Sequence, residues 1–420
     1  MAMLAVTRNG ASGRHSAPTS YLVRAVGDPS KQCVVGFTGA ATCRIANLAG
    51  GTVNVFGAAY EYARPSVAST LSLGNVRAGS NLTRNLAVTN AVASDAAFQD
   101  NLRVTATSTN ATLGLASPAP ILPGASGNVV LTPGAALAGS LNSTLTLTLV
   151  SDARGLEGLA DLTLAPATVA VTGAAYDYAQ PGYSTSALAF GNLRVGATPA
   201  AKTVTFTNAA VTDAAYQESL KVVATGAAGK FTATGFDSLD AGSATAAVSV
   251  SAVTATAGLL NGNLALGLTS LAKANTGLGD TALTGGSVAV TGAVYDVAQP
   301  AFTNGAVLAF GNVHVGDVLA TRNASFANTV VTSAEYQDAL RVLAAAGNAK
   351  ISAANLTSLA AGATADLVVT ASTAAAGSLA GNVDLALTSL AKSGTGLADV
   401  TLNAGQLTTT GAVYDYAQPT

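Results

Sequence analysis

The side chains able to do acid–base, nucleophilic or metal chemistry are few and scattered. His15 and His314 are the only histidines in 420 residues, and about 300 positions separate them. A Ser-His-Asp relay repeated along the chain is therefore excluded by inventory alone. His314 stands where Arg77 and Arg194 stand in two related phrases, which reads as a solvent-facing strand residue. No Cys/His cluster has zinc spacing, and the acidic residues form no Asp-x-Asp-x-Asp-Gly calcium loop. Asp177, Asp296 and Asp415 recur one per repeat, as turn or interdomain acceptors would. The sequence thus predicts a protein that is not an enzyme, with no cofactor and no catalytic or metal-binding residue. Sequons at Asn81, Asn110, Asn142, Asn323 and Asn355 are of a kind that Thr- and Asn-rich sequence produces by chance.

Cys33 and Cys43 are the only cysteines, with Gly36 and Gly39 between them. A hairpin brings such a pair into bonding range. The expectation is a disulfide, worth about 2.5–3 kcal/mol on the chain-entropy argument, and an oxidising compartment.

The elements that carry these residues repeat. Leu71-Ser-Leu-Gly-Asn-Val-Arg-Ala-Gly79, Leu188-Ala-Phe-Gly-Asn-Leu-Arg-Val-Gly196 and Leu308-Ala-Phe-Gly-Asn-Val-His-Val-Gly316 open three units, with Gly74, Gly191 and Gly311 spaced by 117 and 120 positions. A closing phrase, Val169-Ala-Val-Thr-Gly-Ala-Ala-Tyr-Asp-Tyr-Ala-Gln-Pro181, returns at 288–300 and 408–419, and a fourth copy lies at 55–65. Residues 1–64 read as an incomplete β segment, a candidate assembly region, followed by units 65–181, 182–300 and 301–420. Each unit is domain-sized.

Within a unit the periodicity is two. Lys202-Thr-Val-Thr-Phe-Thr-Asn208 puts Val204 and Phe206 on one face and three threonines on the other. About seven such runs per unit, punctuated by Gly and Asn turns, predict an all-β chain of tandem immunoglobulin-like β-sandwich domains in line. The expected middle core is Phe190, Val204, Phe206, Leu220, Val222, Leu266 and Val290. Thr332 to Leu340 alone reads as a helical turn, with Thr332 and Glu335 as its capping box.

These phrases, LxFGNVxVG, a strand ending at Thr89-Asn90 or Thr207-Asn208, and VAVTGxxYDxAxP, resemble the choice-of-anchor D domain of bacterial surface proteins, and more distantly the ASH and MSP immunoglobulin-like folds. The likeness spans roughly 65–420; the third unit departs with Ala327-Asn328 and the first with Ser72-Leu73. It implies a non-catalytic extracellular module, often in tandem, and supplies no site residues.

Two sets of aromatics keep the repeat. Phe98, Tyr216 and Tyr336 precede Leu102, Leu220 and Leu340 by four and read as plugs of the sandwich cores. Tyr60, Tyr176, Tyr295 and Tyr414, in the closing phrase, read as interdomain packing residues. A linker as short as Ala179-Gln180-Pro181 leaves little hinge, so a stiff rod is expected.

Composition agrees with this class. Charged residues are 10% of the chain and the net charge is −2, which leaves no footprint for a nucleic-acid partner. Apolar stretches are too short for a transmembrane segment, and the first 20 residues lack the apolar run of an export signal. The function expected is that of a bacterial extracellular or cell-surface structural protein, a subunit of a fibre, stalk or layer. Its partners would be copies of itself, head to tail, or other surface components. Strand addition at the ends would join the copies, since 1–64 lacks opening strands and Tyr414-Asp-Tyr-Ala-Gln-Pro419 repeats a junction phrase. A fragment of a longer array, an adhesin or glycan-binding array, and the non-catalytic tail of a secreted enzyme are the alternatives.

Overall fold

The computed structural model describes residues 60–133, 138–153 and 159–419, and the backbone of five strands between Leu4 and Phe56. The chain is all-β, a tandem of immunoglobulin-like sandwiches, and divides into two compact units. Met1–Asp177 holds the first sandwich; Tyr178–Thr420 holds the second and third. Among the described residues no helix is long and apolar enough to cross a membrane, which says nothing of barrels.

The second sandwich shows the build. Its first strand is split between the sheets. Pro181–Tyr183 pairs antiparallel with Lys202–Asn208 in a four-stranded sheet completed by Ala246–Ala252 and Phe231–Thr234. The opening strand Ala187–Arg194 then crosses to the other sheet and runs parallel to the closing strand Gly286–Tyr295. Gly262–Leu271, Ser219–Thr225 and Phe236–Leu239 follow in order. Alternation turns one face of each strand inward, and all seven residues of the expected core are buried in one cluster. The third sandwich repeats the plan, and the first does so with the counterpart of Phe236–Leu239 reduced to a bridge between Leu102 and Ile121. Their parallel pairs are Thr70–Arg77 on Ala167–Tyr176 and Val307–His314 on Gly405–Tyr414.

The glycines of both phrases meet in space. Between Ala189 and Gly191 the parallel ladder slips by one residue, and Gly191 takes a φ of +72°, open to glycine at little cost. Opposite it, a Cβ on Gly292 would lie 2.8 Å from the Gly191 carbonyl oxygen. The bulge thus fixes one glycine by backbone angle and the other by contact. It also shifts the strand so that Arg194 comes to lie opposite Tyr295.

Two expectations need correction. The helical turn is a 3-10 turn present in every sandwich, at Ala96–Phe98, Ala214–Tyr216 and Ala334–Tyr336. In the third, Ser333 rather than Thr332 caps it, its hydroxyl accepting from the Glu335 amide at 3.3 Å. The rings on these turns are not core plugs. Phe98 is 43% exposed and Tyr336 is half-buried, because these rings pack on Tyr60 and Tyr295 of the preceding closing phrase rather than within the core.

Candidate functional site

Each sandwich buries a set of polar residues at the end where the preceding linker enters. In the third, Asn328 closes the strand Arg322–Asn328 and is fully buried. Its Nδ2 donates to the carbonyls of Asp338 and Leu359 at 2.9 and 3.0 Å. Its Oδ1 accepts from the linker amide of Gln299 at 2.9 Å and from Gln337 Nε2 at 3.1 Å. All four hydrogen-bonding positions of this amide are used. Gln337 also donates to Thr329 O and accepts from Val331 N.

A second chain of bonds holds the residue before. The amide of Ala298 donates to Ser389 Oγ at 2.8 Å, and that hydroxyl donates to Asp338 Oδ2 at 2.7 Å. Backbone pairing completes the grip: Asp296 N donates to Tyr336 O, Asp338 N to Asp296 O, and Thr329 N to Gln299 O. The linker Asp296–Gln299 is therefore fastened to the third sandwich by an isolated parallel bridge, Asp296 to Gln337, and by the bonds on either side of it. Asp338, wholly buried, meets Arg194 of the second sandwich, whose Nη1 lies 2.6 Å from Oδ2. Arg194 Nη2 and Asn192 Nδ2 reach the Ala398 and Thr395 carbonyls.

The first two sandwiches carry the same clasp. In the first, Arg64 N donates to Asn90 Oδ1 and Ala63 N to Ser151 Oγ, which donates to Asp100 Oδ2 at 2.8 Å. In the second, Gln180 N donates to Asn208 Oδ1 and Ala179 N to Ser270 Oγ, which donates to Glu218 Oε2. Gln99 and Gln217 repeat the role of Gln337.

A serine beside a carboxylate invites a nucleophilic reading, and the geometry answers it. Ser389 is wholly buried, spends its proton on Asp338 and a lone pair on a backbone amide, and lies in a site with no imidazole. The arrangement grips a peptide; it does not present a reactive atom.

Two of the four tyrosines of the closing phrase lie against the 3-10 turns. The Tyr295 ring sits 5.6 Å from that of Tyr336, and Tyr60 sits 5.7 Å from Phe98 edge-on. Tyr176 ends its strand opposite Arg77, half-buried. Tyr414 is 53% exposed. Burial, then a hydrogen bond and the charge of Glu335, hold the Tyr336 phenol above the usual tyrosine range. Asp296 is buried and its carbonyl is the acceptor from Asp338 N, while Asp415 is exposed. His314 is exposed and stacks on Tyr416 at 4.5 Å. Cys33 and Cys43 fall on the strands Asp28–Gly36 and Thr42–Leu48, whose side chains lie outside the described residues.

The clasp residues were not singled out from the sequence, although a signal was there. Asn208 is in phase with Val204 and Phe206, Ser270 with Leu264, Leu266 and Leu268, and Glu218 with Leu220 and Val222. A polar residue at a core position of a strand end, recurring in each unit, marks a buried acceptor rather than a solvated side chain.

No protein-family model and no curated protein sequence matches the chain. Among solved structures it is similar to the human desmocollin-1 ectodomain, at 12% identity over 95% of this chain and 68% of that one, with a TM-score of 0.36. It is also similar to a mouse cadherin-23 fragment, at 14% identity over 86% and 98% with a TM-score of 0.37. A titin I-band fragment gives 10% identity over 84% and 99% with a TM-score of 0.33.

Proposed function

We propose that the chain is a non-catalytic structural array of extracellular sandwiches, a subunit of a bacterial surface fibre, stalk or layer of the choice-of-anchor D kind. The observation that carries this reading is the clasp. Three times over, the buried polar residues of a sandwich are committed to holding the linker that precedes it. A device of this sort turns a flexible connection into a fixed one, the property a load-bearing array needs and an enzyme tail does not.

The test is ¹⁵N relaxation on the deuterated full chain. The second and third sandwiches should share one rotational correlation time, and separate times for them in the unaltered protein would sink the reading.

Assembly through residues 1–64, by strand addition to a neighbouring copy, is the finer part of the proposal. The right truncation ends before Tyr60, since Ala63 and Arg64 fill the clasp of the first sandwich. Sedimentation should show high-mass species for the full chain and none for residues 60–420. A full chain that stays monomeric at high concentration excludes assembly.

A further inference from the structure

We propose that the third sandwich carries a shallow binding site for a neutral pyranose sugar, on the outer face of its larger sheet. This goes beyond the structural role of the array and does not depend on it.

The strands Gly405–Tyr414, Gly381–Leu390 and Ala339–Ala346 lie side by side in that sheet. On their outer face Gln406, Asp384 and Ala345 form one cross-strand row, and Ala386 stands beside Leu343 in the next. Asn304 and Asn355 rise from the loops on either side and wall the row. Together these residues enclose an open hollow of about 620 Å³, a size within the range of small-molecule sites.

The backbone sets which polar atoms are left for a ligand. A backbone N–H can only donate, so a side-chain amide that meets one turns its oxygen to it. Asn355 Oδ1 accepts from Ala344 N at 2.8 Å, and Asn304 Oδ1 accepts from Gln406 N at 2.8 Å. Each asparagine is thereby left with Nδ2 as a donor. Gln406 Nε2 donates to Asp384 Oδ1 at 2.7 Å, which steadies the carboxylate and leaves Asp384 Oδ2 and Gln406 Oε1 as acceptors. Leu343, 40% exposed, and the two alanines supply an apolar floor.

A sugar ring answers this set. Each hydroxyl both donates and accepts, so adjacent hydroxyls can give protons to Asp384 and Gln406 and take them from the asparagines. The bonds to the ionised carboxylate are the strong ones, and the C–H face of the ring rests on Leu343. The same carboxylate repels an acidic sugar. The second sandwich has the strands without the site. Ala265 faces Ser287 where Asp384 faces Gln406. Gly235 stands in place of Asn355, where a Cβ would strike the Val222 carbonyl. The fold does not require these polar groups, so the third sandwich holds them for another purpose.

The test is NMR of the deuterated, ¹⁵N-labelled full chain titrated with the methyl glycosides of glucose, mannose and galactose. It is read at the side-chain amides of Asn304, Asn355 and Gln406. Saturable millimolar shifts at these amides are expected with at least one glycoside, and binding at least tenfold weaker with the matching methyl uronide. Asp384→Ala, at an exposed strand position, should weaken the glycoside at least tenfold. The uronide keeps the test decisive should that variant fail to fold. No saturable shift with any of the three overturns the site, as does equal binding of the uronide or binding that survives Asp384→Ala.

Discussion

Arg194 ends an opening strand of the second sandwich, yet its guanidinium lies 2.6 Å from the carboxylate of Asp338, which is wholly buried in the third. One sandwich completes the electrostatics of the next. Arg194→Ala should strip the counter-charge from a buried acid and destabilise the third sandwich by about 3–5 kcal/mol. Adding Asp338→Asn, which sheds the charge and keeps an acceptor for Ser389, should recover more than half of that. Calorimetry of the two variants reads this, and an additive double variant contradicts it.

Asn328→Ala should free the linker. Its loss leaves the Gln299 amide and two carbonyls without their partner, at about 1–3 kcal/mol for each buried group left unpaired. Hydrogen exchange at Gln299 should quicken by at least tenfold while amides in Gly381–Leu390 stay protected. Unchanged exchange at Gln299 would show that backbone pairing alone holds the linker.

The junction between the second and third sandwiches should weaken in alkali. The Tyr336 phenol is held above its ordinary value by burial and by Glu335, so the folded state retains its proton when the unfolded state has lost it. Stability from this group is complete below the unfolded tyrosine value near 10 and falls as pH rises through the folded one. Thermal scans from pH 8 to 11.5 should show the loss, and Tyr336→Phe should flatten it.

Cys33 and Cys43 are expected to be joined. Non-reducing peptide mapping should recover their peptides linked, and quantitative alkylation of both thiols in unfolded, unreduced protein would refute the bond.

Period-two patterning made the core legible because Val204 and Phe206 follow their own strand's alternation. The bulge was not, since Gly191 meets Gly292 across most of a domain. Nor was the role of Phe98 or Tyr336: apolarity predicts burial, while direction depends on a 3-10 turn. The clasp stayed hidden for a different reason. Asn328 was visible as the end of a strand, but its reach to Gln299, Gln337 and Leu359 depends on three other segments arriving at one point.

Because Ala179 and Gln180 are bonded to Ser270 and Asn208, the piece of polypeptide that can stand alone is offset from the repeat as written. A second sandwich excised at Gly182 would leave Asn208, Glu218 and Ser270 facing an empty slot. One begun at Tyr178 carries its own plug. The same offset governs synthesis on the ribosome: each plug emerges ahead of the pocket that will close on it, so every sandwich has its stopper waiting when its last strand arrives. Gene duplications that preserve function should accordingly have their breakpoints just before Ala-Gln-Pro, not after it.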